Sequence, residues 1–288
     1  MLPHTYLNSH VMLTDLNLTV AHTIMQWWIQ GEDIVRIDVH THTSRYSACS
    51  RITADELVAE ALVAGLDAVL FTEHNAVWDR ADLRSLSGSG LLVLGGVELT
   101  CPEGDCLLVA PDLDDLPGGL SLQGAAEEAH RRGGLAFLAH PFRTTLDHDR
   151  RYLANPLDGL EEESCNNFGR LERQAARAVA VGNGLHLIAG SDAHQRDMVG
   201  CFYLELSQSI GAVADLVGAL RRGAYRQRRH DERFYRFVDA REATWRALVR
   251  AEVFSGTRSL EELKRTTGIS SDIIRTVLAE GEGSQAPP

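Results

Sequence analysis

From residue 34 to about residue 222 the chain repeats one phrase: a short apolar or β-branched run, a polar residue at its end, then a helical stretch. Few folds accommodate that alternation, because a strand followed by a crossover helix pairs most simply with a parallel neighbour. The runs fall at Ile34 to Val39, Ala68 to Thr72, Leu91 to Val97, Leu107 to Ala110, Leu135 to Ala139, Leu157 to Glu162, Leu185 to Ala189 and Phe202 to Leu206. Several lack polar alternation, as strands buried on both faces do. The expected fold is α/β with a largely parallel sheet, and seven or eight such strands favour a barrel over an open sheet.

The helices between them carry their own punctuation. Thr53-Ala-Asp-Glu56 reads as a capping box, followed by an apolar stripe of Leu57, Val58, Ala61 and Leu62 and a stop at Gly65. Ser121 caps a segment running to Arg132, and Val213, Leu216, Val217 and Leu220 repeat a helical stripe. After Gly223 the pattern predicts helices alone. Phe234, Phe237, Val238, Trp245, Leu248 and Val249 mark one amphipathic helix packed on the outside of the barrel. Ser259-Leu-Glu-Glu262 caps a short second helix, Gly268 breaks it, and Ser270 or Ser271 caps a third bearing Ile273, Ile274, Val277 and Leu278. The division expected is an N-terminal extension (1–33), a catalytic barrel (34–223), a helical region (224–280) and a disordered tail (281–288).

A net charge of −12 argues against a general polyanion-binding surface. From Arg221 to Arg250, however, ten arginines face only Asp231, Glu232, Asp239 and Glu242. A solvated helix face and a site for a phosphate-rich partner both fit that block. The five cysteines, Cys49, Cys101, Cys106, Cys165 and Cys201, are odd in number and form no CxxC pair, which suits reduced thiols in a cytoplasmic protein. The first Lys or Arg is Arg36, and the apolar patch from Leu18 to Ile29 is broken by His22, Thr23 and Gln26, so neither a secretory leader nor a membrane span is expected.

The polar residues at the strand ends carry the chemistry. They read His40 and His42 in Asp38-Val-His-Thr-His42, then Thr72-Glu73-His74, Gly96-Val97-Glu98, His140-Pro-Phe-Arg143, Glu163-Ser-Cys-Asn166 and Ser191-Asp192-Ala-His194. In an extended strand residues i and i+2 share a face, so His40 and His42 can present two imidazoles to one ion. Barrel enzymes collect catalytic groups from the C-terminal ends of several strands, where nearly all these clusters fall.

Together the motifs DVHTH, TEH, GVE, AHPFR and GSDAH resemble the PHP family, named for its polymerase and histidinol phosphatase members, over roughly Val35 to Gly223. The resemblance implies a distorted seven-stranded (β/α) barrel with a small all-helical C-terminal appendage. It also implies metal-dependent phosphoester hydrolysis. Carried over by residue, His40, His42 and Asp192 hold a first ion, Glu98 bridges it to a second, His140 holds the second, and His74 and His194 match ligands of a third. Asp38 would orient His40, as groups behind a ligating imidazole do. The ions implied are zinc, manganese or iron, two in number with three as the upper count.

Three positions depart from the family pattern. Cys106 stands about where a histidine usually serves the second metal; either its thiolate coordinates, favouring zinc, or it is buried and Asp105 or water completes the set. Glu73 replaces the usual aspartate and is expected to support rather than coordinate. The stretch from Ser44 to Ser50 holds no histidine and no acid, so the usual extra ligand for a third ion is absent.

Such a ligand set suits phosphate esters, because two divalent ions about 3.5 to 4 Å apart share a hydroxide, lower its pKa and clamp both reacting oxygens. Arg143 is the candidate for gripping a phosphate oxygen, with Arg45 and Arg196 behind it. Without a third ion His194 can serve as general acid. Glu163 and Asn166 fit a motif that in relatives follows the next strand, although a solvated acidic strand end is the preferred reading of Glu163 and no metal role is expected of it. The substrate expected is a phosphorylated small molecule, a nucleotide or an oligonucleotide. An amidohydrolase-type barrel and a metal- or nucleotide-sensing DNA-binding regulator are the competing readings; DNA binding through the 259–280 hairpin is disfavoured by its acidity.

Overall fold

The computed structural model describes residues 34–88, 90–144, 146, 155–253 and 255–283. The expected N-terminal extension and residues 284–288 of the expected tail lie outside them. In chain order the elements are β1 (Val35–Thr41), α1 (Ala54–Val63), β2 (Ala68–Phe71), α2 (Arg80–Leu86), β3 (Leu92–Gly95), β4 (Val97–Cys101) and β5 (Gly104–Val109). There follow α3 (Leu122–Arg131), β6 (Leu135–Leu138), β7 (Gly159–Glu163), α4 (Arg170–Asn183), β8 (His186–Ala189), β9 (Phe202–Leu206), α5 (Val213–Arg222) and β10 (Tyr225–Arg229). The last helices are α6 (Asp231–Leu248), continued by a π-helical turn (Val249–Val253), α7 (Leu260–Thr267) and α8 (Ser271–Gly283).

The fold is mixed α/β, with two sheets of five strands ordered β10-β9-β1-β2-β3 and β4-β5-β6-β7-β8. The distorted seven-stranded barrel expected is not confirmed: the strands fall into two five-stranded sheets, and neither closes on itself. Nor is the pairing largely parallel: β1–β2, β2–β3, β6–β7 and β7–β8 are parallel, whereas β1–β9, β9–β10, β4–β5 and β5–β6 are antiparallel. The cause is connection length. Only Pro102 and Glu103 separate β4 from β5, enough for a hairpin but far too short for a parallel crossover.

The run from Leu91 to Val97, expected as one strand, divides at Gly96, where the chain passes from the first sheet to the second. A Cβ there would lie 3.0 Å from the Leu108 carbonyl oxygen and 3.1 Å from Leu70, so a side chain would hold the sheets apart. The sheets are stitched on both seams beside the strand-end motifs. On one, Asp192 N donates to His40 O (2.8 Å) and His42 N to Ala193 O (3.0 Å). On the other, Glu98 N donates to Glu73 O (3.1 Å) and Asn75 N to Glu98 O (2.9 Å). One buried apolar cluster draws on both sheets through Ile37, Leu70, Leu107, Phe137, Ile188 and Leu204, and α5 adds Leu216, Val217 and Leu220. Burying such side chains is worth about 1.5–3 kcal/mol each and holds the stitched ends in register.

The expected caps form. Thr53 and Glu56 make the reciprocal box of α1, Ser121 Oγ accepts from Gly124 N (3.1 Å), and Ser259 and Glu262 make the box of α7. The region after Gly223 is not all helical, however, because β10 pairs with β9 from Tyr225↔Leu206 to Arg229↔Phe202. Its sequence, Tyr-Arg-Gln-Arg-Arg, hides a strand, since charge at an edge masks the apolar pattern. The aromatic face of α6 packs on the main body as expected: Phe234 lies 5.2 Å from Phe202 and 5.4 Å from Phe168 between ring centroids. The arginine-rich block is largely engaged within the chain, Arg228 with Glu205, Arg233 with Glu60, Arg241 with Asp197, and Arg246 and Arg250 with Glu280. Helix α8 runs to Gly283, so the first residues of the expected tail are helical. Among the described residues no helix is long and apolar enough to cross a membrane, and the five cysteines are free.

Candidate metal centre

Strand β1 delivers His40 and, one residue beyond its end, His42, and their Nε2 atoms meet at 3.0 Å. Around them the two seams bring in Glu98 from β4 and Asp192 from the turn after β8. Glu98 Oε2 lies 3.0 Å from His74 Nδ1, 3.2 Å from His42 Nε2 and 3.3 Å from His40 Nε2, while its Oε1 is 3.0 Å from His140 Nε2. Asp192 Oδ1 lies 3.2 Å from His42 Nε2, 3.4 Å from His40 Nε2 and 3.5 Å from His194 Nδ1. Seven of the eight residues expected to bind metal thus converge.

Among the described residues the ligand atoms fall into three overlapping sets, each within 4.8 Å: His40, His42, Glu98 and Asp192; Glu98, Asp105 and His140; and His42, His74 and His194. Glu98 is shared by the first two, matching the bridging position the resemblance implies. Glu98 Oε2 and Asp192 Oδ1 are buried and accept no hydrogen bond, although ring nitrogens lie within 3.5 Å of each. A buried carboxylate oxygen without a partner is costly. Close nitrogens misaligned for hydrogen bonding fit donors directed at common points between them, so the residues present fit divalent ions.

Electrostatics agree with that geometry. Burial works against charge at Glu98 and Asp192, yet the imidazoles, His40 foremost, hold both carboxylates well below their ordinary range. Burial likewise disfavours a charged His40, but Asp192, Glu161 and Glu98 push its pKa well above the usual value. A pocket biased toward positive charge in this way suits cations in place of protons.

The supporting groups were only partly foreseen. Glu161, fully buried on β7, accepts from His40 Nδ1 (2.9 Å) and from His140 N (3.0 Å). Asp38, expected to orient the His40 ring, instead accepts backbone N–H groups of Ser191 (2.8 Å), Gly200 (3.0 Å) and His40 (3.3 Å), and so holds the loop that carries Asp192. Glu73 supports, as expected: it accepts from Thr43 N, Ser47 Oγ (2.6 Å) and Trp78 Nε1 (2.8 Å). Asn166 Nδ2 donates to Asp192 Oδ2 (2.8 Å), whereas Glu163 pairs with Arg173 (3.4 Å). His140 and Asp192 both have positive φ, 28° and 50°, a conformation unfavourable for non-glycine residues and concentrated here at two would-be ligands.

Cys106 requires a correction. It belongs to the apolar cluster of β4, β5, β6 and α3, and its neighbour Asp105 stands in the set with Glu98 and His140. Alternation along β5 turns consecutive side chains to opposite faces, so the motif GDC offers the site its acid and not its thiol. Arg143 lies close enough to His140 for its charge to oppose that ring's protonation, while its Nη2 donates to Arg265 O (2.9 Å) at the end of α7. Arg45 pairs with Asp82 and Arg196 with Glu60. Cys49 went unnoticed in a loop judged empty of ligands. Burial would raise its thiol pKa, but the nearby imidazoles of His194 and His74 bring it down to about 6.

Comparison with known proteins follows the same line. Residues 170–225, from α4 into β10, match the family model PHP_C, described as PHP-associated. An uncharacterized protein of Methanocaldococcus jannaschii, MJ1587, is 27% identical over 119 residues, covering 38% of this chain and 68% of that protein. PsfC from Pseudomonas syringae PB-5123 superposes with a TM-score of 0.55 at 18% identity, over 75% of this chain and 99% of PsfC. A two-domain protein from Bacteroides vulgatus ATCC 8482, containing a predicted PHP-like metal-dependent phosphoesterase, gives 0.54 at 20% identity, over 72% of this chain and 71% of that one. At such identities the two structures share a fold with this chain.

Proposed function

We propose that the chain is a PHP-family protein and a metal-dependent hydrolase of phosphate esters. The observation that carries the reading is the pair of unpartnered buried oxygens, Glu98 Oε2 and Asp192 Oδ1, set among five histidines. His40, His42 and Asp192 would hold one divalent ion, His140 and Asp105 a second, with Glu98 between them. When bound, such ions supply Lewis-acid charge that makes water a nucleophile near neutral pH and offsets charge on the phosphoryl oxygens.

The chain's own residues do the rest. Glu161 fixes the His40 tautomer, because Nδ1 donates to it and Nε2 is left as the ligand atom. His194 donates from Nδ1 to the Asp192 carbonyl (2.9 Å), which leaves its Nε2 free to bind a cation or to carry a proton to the leaving oxygen. Arg143, beside His140 and with a buried, unpartnered Nε, is assigned to a non-bridging phosphate oxygen.

Many amidohydrolase-type sites bridge their ions with a modified lysine. The one lysine here, Lys264, is bonded to Glu172 and Ser271, which favours the phosphoesterase reading. A DNA-binding role for α7 and α8 is disfavoured because Leu263, Ile269, Ile274 and Val277 bury their shared face and Glu280 pairs with Arg246.

The test is turnover of an aryl phosphate, nucleoside bisphosphates and short oligonucleotides by protein loaded with manganese or zinc. His40→Ala and Asp192→Asn should each abolish it with the circular dichroism spectrum unchanged. Variants as active as the parent would place the chemistry elsewhere.

A further inference from the structure

The turn between α7 and α8 reaches both loops that flank the site. At the end of α7, Arg265 O accepts from Arg143 Nη2 (2.9 Å) and Lys264 Nζ donates to Phe142 O (3.4 Å), so the chain just beyond His140 rests on that helix. Gly268, the left-handed C-cap of α7 (φ 66°), lies against Asn166 in the loop after β7. A Cβ at Gly268 would stand 2.8 Å from Asn166 Oδ1 and 3.3 Å from Asn166 Cα. The other end of the same amide grips the Asp192 turn: Nδ2 donates to Asp192 Oδ2 (2.8 Å) and to Asp192 O (3.2 Å). Both partners are acceptors, which fixes the amide with its nitrogen toward Asp192 and its oxygen toward the glycine. The apolar face of the hairpin, Leu263, Ile269, Ile274 and Val277, shares one buried cluster with Cys165 and Phe168, on either side of Asn166.

We propose that Gly268 is a positioning residue of the metal centre: the α7–α8 turn seats the Asn166 amide, and that amide orients Asp192 for its ion. The inference rests on the reading of the centre as a metal site. A planar amide confined at one end cannot turn at the other, so the approach of Gly268 to Asn166 sets where Nδ2 meets the carboxylate. Asp192 needs that hold, because its own backbone sits at φ 50°, a conformation that persists only under restraint from its surroundings. A side chain at residue 268 presses on the far end of Asn166, which yields by rotating, and Nδ2 then leaves Asp192. The C-terminal hairpin is thereby a working part of the centre. By linkage, an ion bound through Asp192 steadies the hairpin in return.

The experiment uses the full chain freed of metal and titrated calorimetrically with zinc. Gly268→Ala should weaken binding about 10- to 100-fold, as the loss of groups behind ligands does, and Asn166→Ala should match it. In an Asn166→Ala background, Gly268→Ala should cost no further affinity. Gly184→Ala is the control, since Gly184 caps α4 at φ 65° and an added Cβ there meets nothing within 4 Å among the described residues. Its zinc affinity should equal the parent's. A second measurement needs no substituted turn: zinc should slow hydrogen exchange across the α7–α8 turn of the parent, and Asn166→Ala should remove that protection. Four results overturn the proposal and leave the metal site standing: unchanged affinity in Gly268→Ala, an equal loss in Gly184→Ala, a full further loss in the double variant, or hairpin exchange in the parent indifferent to bound zinc. A parent that binds no zinc overturns both readings.

Discussion

His40 Nδ1 lies 2.9 Å from Glu161 Oε1, and the other oxygen of the same carboxylate accepts from His140 N at 3.0 Å. One buried acid thus aims a ligand of the first donor set and fixes the backbone that carries a ligand of the second.

Glu161→Gln keeps the volume but removes the charge that holds the His40 tautomer. Metal affinity should fall about 10- to 100-fold, as for other groups behind ligating histidines. Calorimetric titration of the metal-free protein reads the change; an affinity equal to the parent's would assign Glu161 a packing role alone.

Gly190→Ala tests the seam between β8 and β1. An added Cβ would lie 2.6 Å from His40 Cβ and 2.9 Å from His40 N, both in the buried strand that carries the ligands. Overpacking of this kind costs about 1–3 kcal/mol. Urea unfolding should show that loss, and metal content should drop with it because the displaced turn carries Asp192.

Lys264 Nζ lies 3.0 Å from Glu172 Oε1, which also accepts from Ser271 N (2.7 Å), while Asp272 Oδ2 accepts from Arg170 N (2.6 Å). The first turns of α4 and α8 therefore cap one another, and Lys264 neutralises the buried acid between them. Lys264→Met leaves Glu172 charged and buried, and breaking such a pair costs about 3–5 kcal/mol. Adding Glu172→Leu should recover part of that loss in denaturant midpoints. Hydrogen exchange should show α7 and α8 opening first in the single variant. Equal protection in variant and parent would mean that the latch contributes little.

Tyr225 donates its hydroxyl to Leu187 O (3.0 Å), tying β10 to β8, and burial pushes its pKa up to about 12. The sign follows from linkage. Between the ordinary value near 10 and 12 the unfolded chain loses this proton while the folded chain keeps it, so stability falls as pH rises through that window. An ultraviolet titration of tyrosinate should show late ionisation, with Tyr203 also raised above the ordinary value, and Tyr225→Phe should remove its latest step; a titration that is complete near 10 contradicts the burial.

The strand-end motifs, the i, i+2 pair of His40 and His42, and the capping boxes at Thr53 and Ser259 were legible because each depends on neighbours within a few residues, where backbone period alone places side chains. Choices that depend on distant partners were not. Whether Asp105 or Cys106 faces the ions depends on which face of β5 meets the β4 and β6 seam. Glu161 rather than Glu162 backs His40 because the pleat of β7 turns the two to opposite faces, and the β7–β8 register shifts between Glu161 and Glu163, which pairs with Arg173. The strand Tyr225–Arg229 hid in a run of arginines, since an edge takes its pairing from backbone groups that side-chain polarity does not report. Sequence by itself determined which residue types stand at the strand ends. Tertiary structure decided which converge, because two open sheets stitched at one end bring together atoms up to about 150 positions apart.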